Sequence, residues 1–282
     1  MILKSNKRNA GIIGSPIKHS LSPLIHQYWM RQNNISARYS AFNVKKEELP
    51  LFIKRAVEEN FVGFNVTLPH KSSIIPFLDE VSKEARALGA VNTVLIKEKR
   101  TLGFNTDTFG FIENLNRSVP KWAERKGCAV IVGAGGAARA AVWSLLEKNI
   151  YEIKIVNRSQ KRALALILDM KRYFPHASLE YVANYESVIK NAILLVNTSS
   201  LGMTGQPPLN IKLDLLNKNA IVYDLVYSPM RTDLLMAAEK LRLVALGGLG
   251  MLLYQAVPAF TMWYGSHVTV NNKLRKIILK QF

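Results

Sequence analysis

The apolar run Cys128-Ala129-Val130-Ile131-Val132 ends in Gly133-Ala134-Gly135-Gly136-Ala137-Ala138 and passes directly into an amphipathic segment. Small residues at those positions, after a strand and before a helix, bring unshielded backbone N–H groups up to a phosphate. Gly133 permits the tight turn, Gly135 lets the backbone approach a pyrophosphate, and Ala138 allows close packing, while the helix N-terminus adds partial positive charge. Gly133, Ala134, Gly135, Gly136 and Ala137 are therefore the predicted phosphate-binding turn of a dinucleotide site. About 20 residues further on, where a carboxylate would take ribose hydroxyls, the chain reads Asn157-Arg158-Ser159-Gln160-Lys161-Arg162. A carboxylate would repel a 2′-phosphate. Arg158 and Arg162 can pair with it, and Asn157 and Ser159 can add hydrogen bonds, so the predicted cofactor is NADP rather than NAD.

Other polar clusters fall at predicted strand ends, where ligands bind in open α/β sheets. Ser20 and Ser22 precede Pro23 and a helix, and Ser22 taken alone also reads as a helix cap. Asn65 and Thr67 sit near the end of another strand, with Lys71 beyond Pro69-His70 at a predicted helix start, where its charge opposes the helix dipole. Asn92-Thr93 begins one hairpin strand and Asn105-Thr106-Asp107 follows the other; Asp107 also reads as a cap. If the fold brings Lys71 and Asp107 together, the pair can relay the proton that accompanies hydride transfer to a carbonyl. His19, His26, His70, His176 and His267 lack metal-like spacing, so no metal site is predicted and packed or surface roles are expected. Cys128, the sole cysteine, lies in an apolar run and reads as core, which excludes an intrachain disulfide and favours a reducing cytoplasm.

These residues must be positioned by two alternating series. The first predicts strands over Ala10–Gly14, Ala37–Val44 and Phe61–Val66 with helices over Leu24–Gln32 and Leu49–Glu59. Helical pieces over Lys71–Leu78 and Val81–Leu88 follow, then a hairpin of Val91–Ile96 and Thr101–Phe104 and a helix over Thr108–Asn116. The second series predicts strands at Cys128–Val132, Ile153–Val156, Ile193–Val196 and Ala220–Tyr223 and helices at Ala137–Lys148 and Gln160–Arg172. Short strands separated by helices imply a parallel, doubly wound sheet.

At 282 residues the chain is long enough for two domains, and 49% hydrophobic with 21% charged residues is an ordinary globular balance. The N-terminal Met1 to Arg8 stretch lacks an apolar signal core, and no apolar run approaches the roughly 20 residues of a membrane helix. A formal charge of +18 attracts anions, but its lysines and arginines are scattered in separate clusters, among them Lys45-Lys46 and Lys273 to Lys280. That reads as a solvated basic surface rather than a specific nucleic-acid site.

In order and spacing, His19-Ser20-Leu21-Ser22-Pro23, Gly63 to Lys71, Gly89-Ala90-Val91-Asn92-Thr93 and Asn105-Thr106-Asp107 resemble the shikimate dehydrogenase family. The resemblance continues through Gly133 to Ala137, Asn157-Arg158-Ser159, Asn197-Thr198-Ser199, Tyr223 to Tyr227 and Gly248 to Gln255. It implies an α/β fold of two domains. A substrate domain over 1–112, completed by C-terminal helices over 249–282, joins a Rossmann-like NADP domain over 113–248, with the active site in the cleft. It implies reversible NADPH-linked reduction of 3-dehydroshikimate to shikimate, on the route to chorismate and the aromatic amino acids. Lys71 and Asp107 match the family's catalytic pair. Ser20 and Ser22, helped by Tyr227, match binders of the substrate carboxylate, and Thr67, Asn92 and Gln255 match residues that hold the hydroxyl-bearing ring, with Asn65 beside them. Asn157, Arg158, Ser159 and Arg162 match residues that hold the adenosine phosphate; Leu225 and Gly248 match positions lining the nicotinamide. His70 and Ser159 depart from commoner family choices without removing a needed functional group. The partners implied are small molecules, without a specific nucleic acid or a membrane, for a monomer or homodimer. The alternatives are a quinate/shikimate dehydrogenase using NAD, against which Arg158 argues, and a non-catalytic nicotinamide-binding regulator, against which Lys71 with Asp107 argues.

Overall fold

The computed structural model describes residues 8–282; the N-terminal stretch read as lacking a signal core lies, through Lys7, outside the described residues. The chain divides into two compact units, one running to Thr106 and resuming at Gln255–Gln281, the other comprising Asp107–Tyr254 with Phe282.

In the first unit, β1 (Ala10–Gly14), α1 (Ser22–Gln32), β2 (Tyr39–Asn43), α2 (Leu49–Glu58) and β3 (Gly63–Val66) follow the predicted alternation. They lead to β4 (Glu80–Val81), α3 (Lys83–Leu88), β5 (Thr93–Lys97) and β6 (Arg100–Phe104). The six-stranded sheet has the order β2-β1-β3-β5-β6-β4. β1 pairs in parallel with β2 and β3, and the apolar β1 is buried along its whole length, as a strand covered on both faces must be. The β5–β6 hairpin is antiparallel, its turn residues Glu98 and Lys99 at φ 53° and 62° in the left-handed conformation that follows strand twist.

Two expectations fail here. Lys71–Leu78 is a turn with a short 3₁₀ segment, Ile75–Phe77, because Pro76 has no N–H to give the Ser72 carbonyl four residues back and a longer α-helix cannot run through it. The next helix begins at Lys83 rather than Val81: Ser82 caps it by accepting from the Ala85 N–H at 3.2 Å, and Glu80–Val81 pairs with β6.

The second unit begins with α4 (Asp107–Ser118) and continues through β7 (Cys128–Val132), α5 (Gly136–Glu147), β8 (Glu152–Val156), α6 (Gln160–Lys171) and β9 (Ser178–Val182). β10 (Ala192–Asn197), β11 (Ile221–Asp224), α7 (Asp233–Lys240) and β12 (Val244–Leu246) complete the sheet. Its order β12-β11-β10-β7-β8-β9 is parallel throughout, the doubly wound arrangement with a switch point beside β7. Cys128 is 1% exposed in the core, and burial pushes its thiol up, away from the reactive thiolate.

α8 (Leu249–Tyr264) takes the chain back into the first unit from Gln255, and α9 (Asn272–Leu279) follows. Trp263 Nε1 donates to the Val94 carbonyl at 3.0 Å, and Trp29 Nε1 of α1 donates to that of Thr269 at 3.0 Å, so the C-terminal return is tied to sheet and helix. Among the described residues no helix is long and apolar enough to cross a membrane.

Candidate active site

In the second unit the glycine turn leaves β7 beside the end of β8. Gly133 has φ 118°, which L side chains rarely adopt, and its N–H donates to the Val156 carbonyl at 2.8 Å. A side chain there would also meet Thr198 Oγ1 at 2.5 Å. α5 starts at Gly136 without a side-chain cap, so its first N–H groups are left for a ligand. Added Cβ atoms at Gly135 and Gly136 would meet nothing within 4 Å, an open cradle over the helix start. Ala134 and Ala137 flank it half-buried, and Ala138 is fully buried where the helix packs.

Val132 is in register with Val156, which sets Asn157 and Arg158 beside the turn. Asn157 Nδ2 donates to the Ser159 carbonyl at 2.8 Å, and Ser159 caps α6 by accepting from the Arg162 N–H at 3.4 Å. Those bonds shape the loop and leave the exposed guanidinium groups of Arg158 and Arg162 at its surface. The open turn with arginines at the next strand end fits a dinucleotide bearing a 2′-phosphate.

At the ends of β10 and β11, Asp224 is buried and accepts from Asn197 Nδ2 at 2.9 Å, the Val226 N–H at 3.0 Å and Thr232 Oγ1 at 2.6 Å. Burial raises its pKa, against the pull of those three donors. The carboxylate clamps the loop bearing Leu225, and the Gly248 N–H donates to the Val226 carbonyl at 3.2 Å. A Cβ on Gly248 would lie 2.0 Å from the Leu225 carbonyl oxygen, so the two positions are in backbone contact. Tyr227 is 39% exposed in the same unit and meets the Phe282 ring edge-on at 6.3 Å.

The first unit gathers most of the other polar candidates. The Ser15 N–H donates to the Leu68 carbonyl at 3.1 Å and the Thr67 N–H to that of Ile13 at 2.9 Å, which sets the loop of Ser20 and Ser22 beside the segment of Thr67 and Lys71. Ser22 is not the cap of α1: Leu21 occupies that position, Ser22 lies inside the first turn, and its N–H donates to Ser20 Oγ at 3.3 Å. Lys71 is half-buried in a turn rather than at a helix start, so no helix dipole opposes it. Its carbonyl accepts from the Val91 N–H at 2.7 Å, next to Asn92, and the preceding His70 is buried with Nε2 donating to the Val44 carbonyl at 2.6 Å. Asp107 opens α4 in the second unit.

Asn65, Asn92 and Gln255 are all buried in one network. Asn65 Nδ2 donates to the Asn92 carbonyl at 3.1 Å and to Thr93 Oγ1 at 3.0 Å. Asn92 Nδ2 donates to Thr106 Oγ1 at 3.0 Å and Gln255 Oε1 at 3.3 Å, and Asn92 Oδ1 accepts from the Thr106 N–H at 2.7 Å. Three carboxamides linked this way suit a ligand with several hydroxyls, each able to donate and accept.

Tyr39, Thr93, Thr106 and Asp224 complete these arrangements; Thr93, Thr106 and Asp224 stand in the sequence motifs without a role, and Tyr39 stands in none. Thr93, Thr106 and Asp224 at strand ends carried a signal, polar types where apolar ones would close the core; Tyr39, on a short alternating strand, carried none. Tyr39 donates to Asn65 Oδ1 at 2.6 Å and stacks on His26, with centroids 4.3 Å apart and planes 3° from parallel. Both His26 nitrogens lack a hydrogen-bond partner, and burial lowers its pKa to about 3, only partly offset by the Asn65 amide. The imidazole is therefore neutral, one more ring in the cluster with Trp29 and Trp263.

Two family models match the chain: the shikimate dehydrogenase substrate binding domain over residues 12–94, and shikimate / quinate 5-dehydrogenase over residues 115–202. A Ruegeria sp. (strain TM1040) protein named shikimate dehydrogenase (NADP(+)) is 41% identical over 271 residues, 96% of this chain and 97% of that one. The structure of shikimate 5-dehydrogenase from Thermus thermophilus, in complex with NADP(H) and shikimate, is 34% identical with a TM-score of 0.86, covering 97% of this chain and 99% of that one. Quinate dehydrogenase from Corynebacterium glutamicum, in complex with NAD, is 30% identical with a TM-score of 0.90, over 97% and 99%.

Proposed function

From the premise that this chain belongs to the shikimate dehydrogenase family, we propose that it is an NADP-dependent oxidoreductase that interconverts 3-dehydroshikimate and shikimate. The observation that carries the substrate assignment is the buried Asn65–Asn92–Gln255 carboxamide network, which lies in the unit that includes the substrate-domain match.

The turn from Gly133 to Ala137 holds the pyrophosphate. Arg158 and Arg162 hold the 2′-phosphate with Asn157 and Ser159, and Leu225 and Gly248 line the nicotinamide position. Bound there, NADPH supplies the hydride for the carbonyl carbon. Every other step belongs to the chain. Ser20, Ser22 and Tyr227 take the substrate carboxylate, and Thr67, Asn92 and Gln255, with Asn65, hold the ring hydroxyls and fix which face is presented. Lys71, as an ammonium, gives a proton to the oxygen as the carbonyl becomes an alcohol; Asp107, as a carboxylate, stabilises the ammonium and relays a proton from water to the neutral amine that is left, restoring its charge. In the reverse direction Lys71 accepts the alcohol proton. One buried thiol that can form no intrachain disulfide accords with a cytoplasmic enzyme.

A quinate-specific, NAD-linked enzyme is the rival, because the Corynebacterium glutamicum protein shares the fold so closely. Arg158 separates the two. With Arg158→Ala, the KM for NADPH is expected to rise about ten- to hundred-fold, the loss of one charged hydrogen-bonding group. The KM for NADH should stay within about two-fold, because NADH has no 2′-phosphate to lose. Equal effects on both cofactors would remove Arg158 from the phosphate site and with it the preference for NADP.

A further inference from the structure

The first unit's network has a direction, and a residue outside the motif set starts it. The Asn92 carbonyl can only accept, so the Asn65 atom facing it must be Nδ2. That turns Asn65 Oδ1 towards the Tyr39 hydroxyl at 2.6 Å, which must then be the donor. Burial holds this phenol well above its ordinary pKa, so its proton stays in place. Thr93 Oγ1 accepts from Asn65 and lies 3.1 Å from Asn92 Oδ1, to which it donates. The Thr106 N–H can only donate, and it takes the same Oδ1 at 2.7 Å. Asn92 Nδ2 therefore faces Gln255, whose Oε1 is turned into the network. One phenol thus heads the carboxamide network, while His26 stacked on its ring keeps it in place.

We infer that Tyr39 is a positioning residue for the substrate: its hydroxyl fixes Asn65, and through Asn65 the amides of Asn92 and Gln255, in the orientation a hydroxylated ring meets. This rests on the proposed function. Tyr39→Phe removes the hydroxyl and keeps the ring. The KM for 3-dehydroshikimate is expected to rise about ten-fold, kcat to change less, and the KM for NADPH to stay within about two-fold. A hydroxyl that only stabilises the fold would lower the Tm and leave both KM values in place, and that result overturns the inference. Should Tyr39→Phe not fold, Thr93→Val cuts the same chain one step on, with the same expected split and the same overturning result. Absence of turnover in the unaltered enzyme would count against the proposed function instead.

Discussion

Replacing Lys71 with alanine is expected to lower kcat for 3-dehydroshikimate by about 10²- to 10⁴-fold, the usual worth of a positioned general acid, while NADPH binding stays within about two-fold. The size follows from the chemistry: hydride addition places negative charge on the substrate oxygen, and without a donor the alkoxide must form before a proton arrives. The selectivity follows from placement. Lys71 belongs to the first unit, and the glycine turn and Arg158 belong to the second. The backbone of its turn is held by the Val91 N–H on the Lys71 carbonyl and by His70 on Val44, bonds the substitution leaves in place. Single-turnover measurement after mixing with excess NADPH reads the chemical step directly. A rate within a few-fold of the unaltered enzyme would show that the proton comes from another group.

Gly248→Ala should have the second largest effect, on stability and cofactor affinity together. The new Cβ would lie 2.0 Å from the Leu225 carbonyl oxygen and 2.5 Å from its carbon, both main-chain atoms with no rotamer to yield. The loop after β11 must then move away from a carboxylate that clamps it through Asn197, Val226 and Thr232. Overpacking of this kind costs about 3 kcal/mol. For a unit of this size that lowers the Tm by roughly 6–12 °C. Displacing Leu225 should also weaken NADPH binding by about ten-fold or more. A Tm within about 2 °C of the unaltered protein would mean that the two segments separate at little cost.

How much of this was legible in the sequence depended on how local each feature is. The phosphate turn was readable because strand, glycines and helix start are contiguous, and Arg158 because it follows the next strand directly. The β1, β7 and β8 strands were readable as short apolar runs between helices. The expected Lys71–Leu78 helix failed because its apolar spacing outweighed Pro76 in the reading, whereas in the chain the missing N–H decides. β9 and β12 are edge strands: Ser178-Leu179-Glu180-Tyr181 alternates over only four residues, and three-residue β12 has no buried position. α9 was marked from its own residues only by the basic cluster from Lys273 to Lys280, its helix coming from the family resemblance; Leu274 and Ile278 one turn apart make its buried face. Ser22 read equally as a cap, and only the backbone shows Leu21 in that position. Tyr39 was invisible for a different reason: its partner Asn65 lies 26 residues away, on a strand that neighbours it only through β1.

The central claim is tested most directly by purified protein, 3-dehydroshikimate and each reduced nicotinamide in turn, with loss of nicotinamide absorbance as the readout. The account predicts turnover, with kcat/KM for NADPH at least about ten-fold above that for NADH. NADH equal or better, or no turnover at high enzyme concentration, would contradict it.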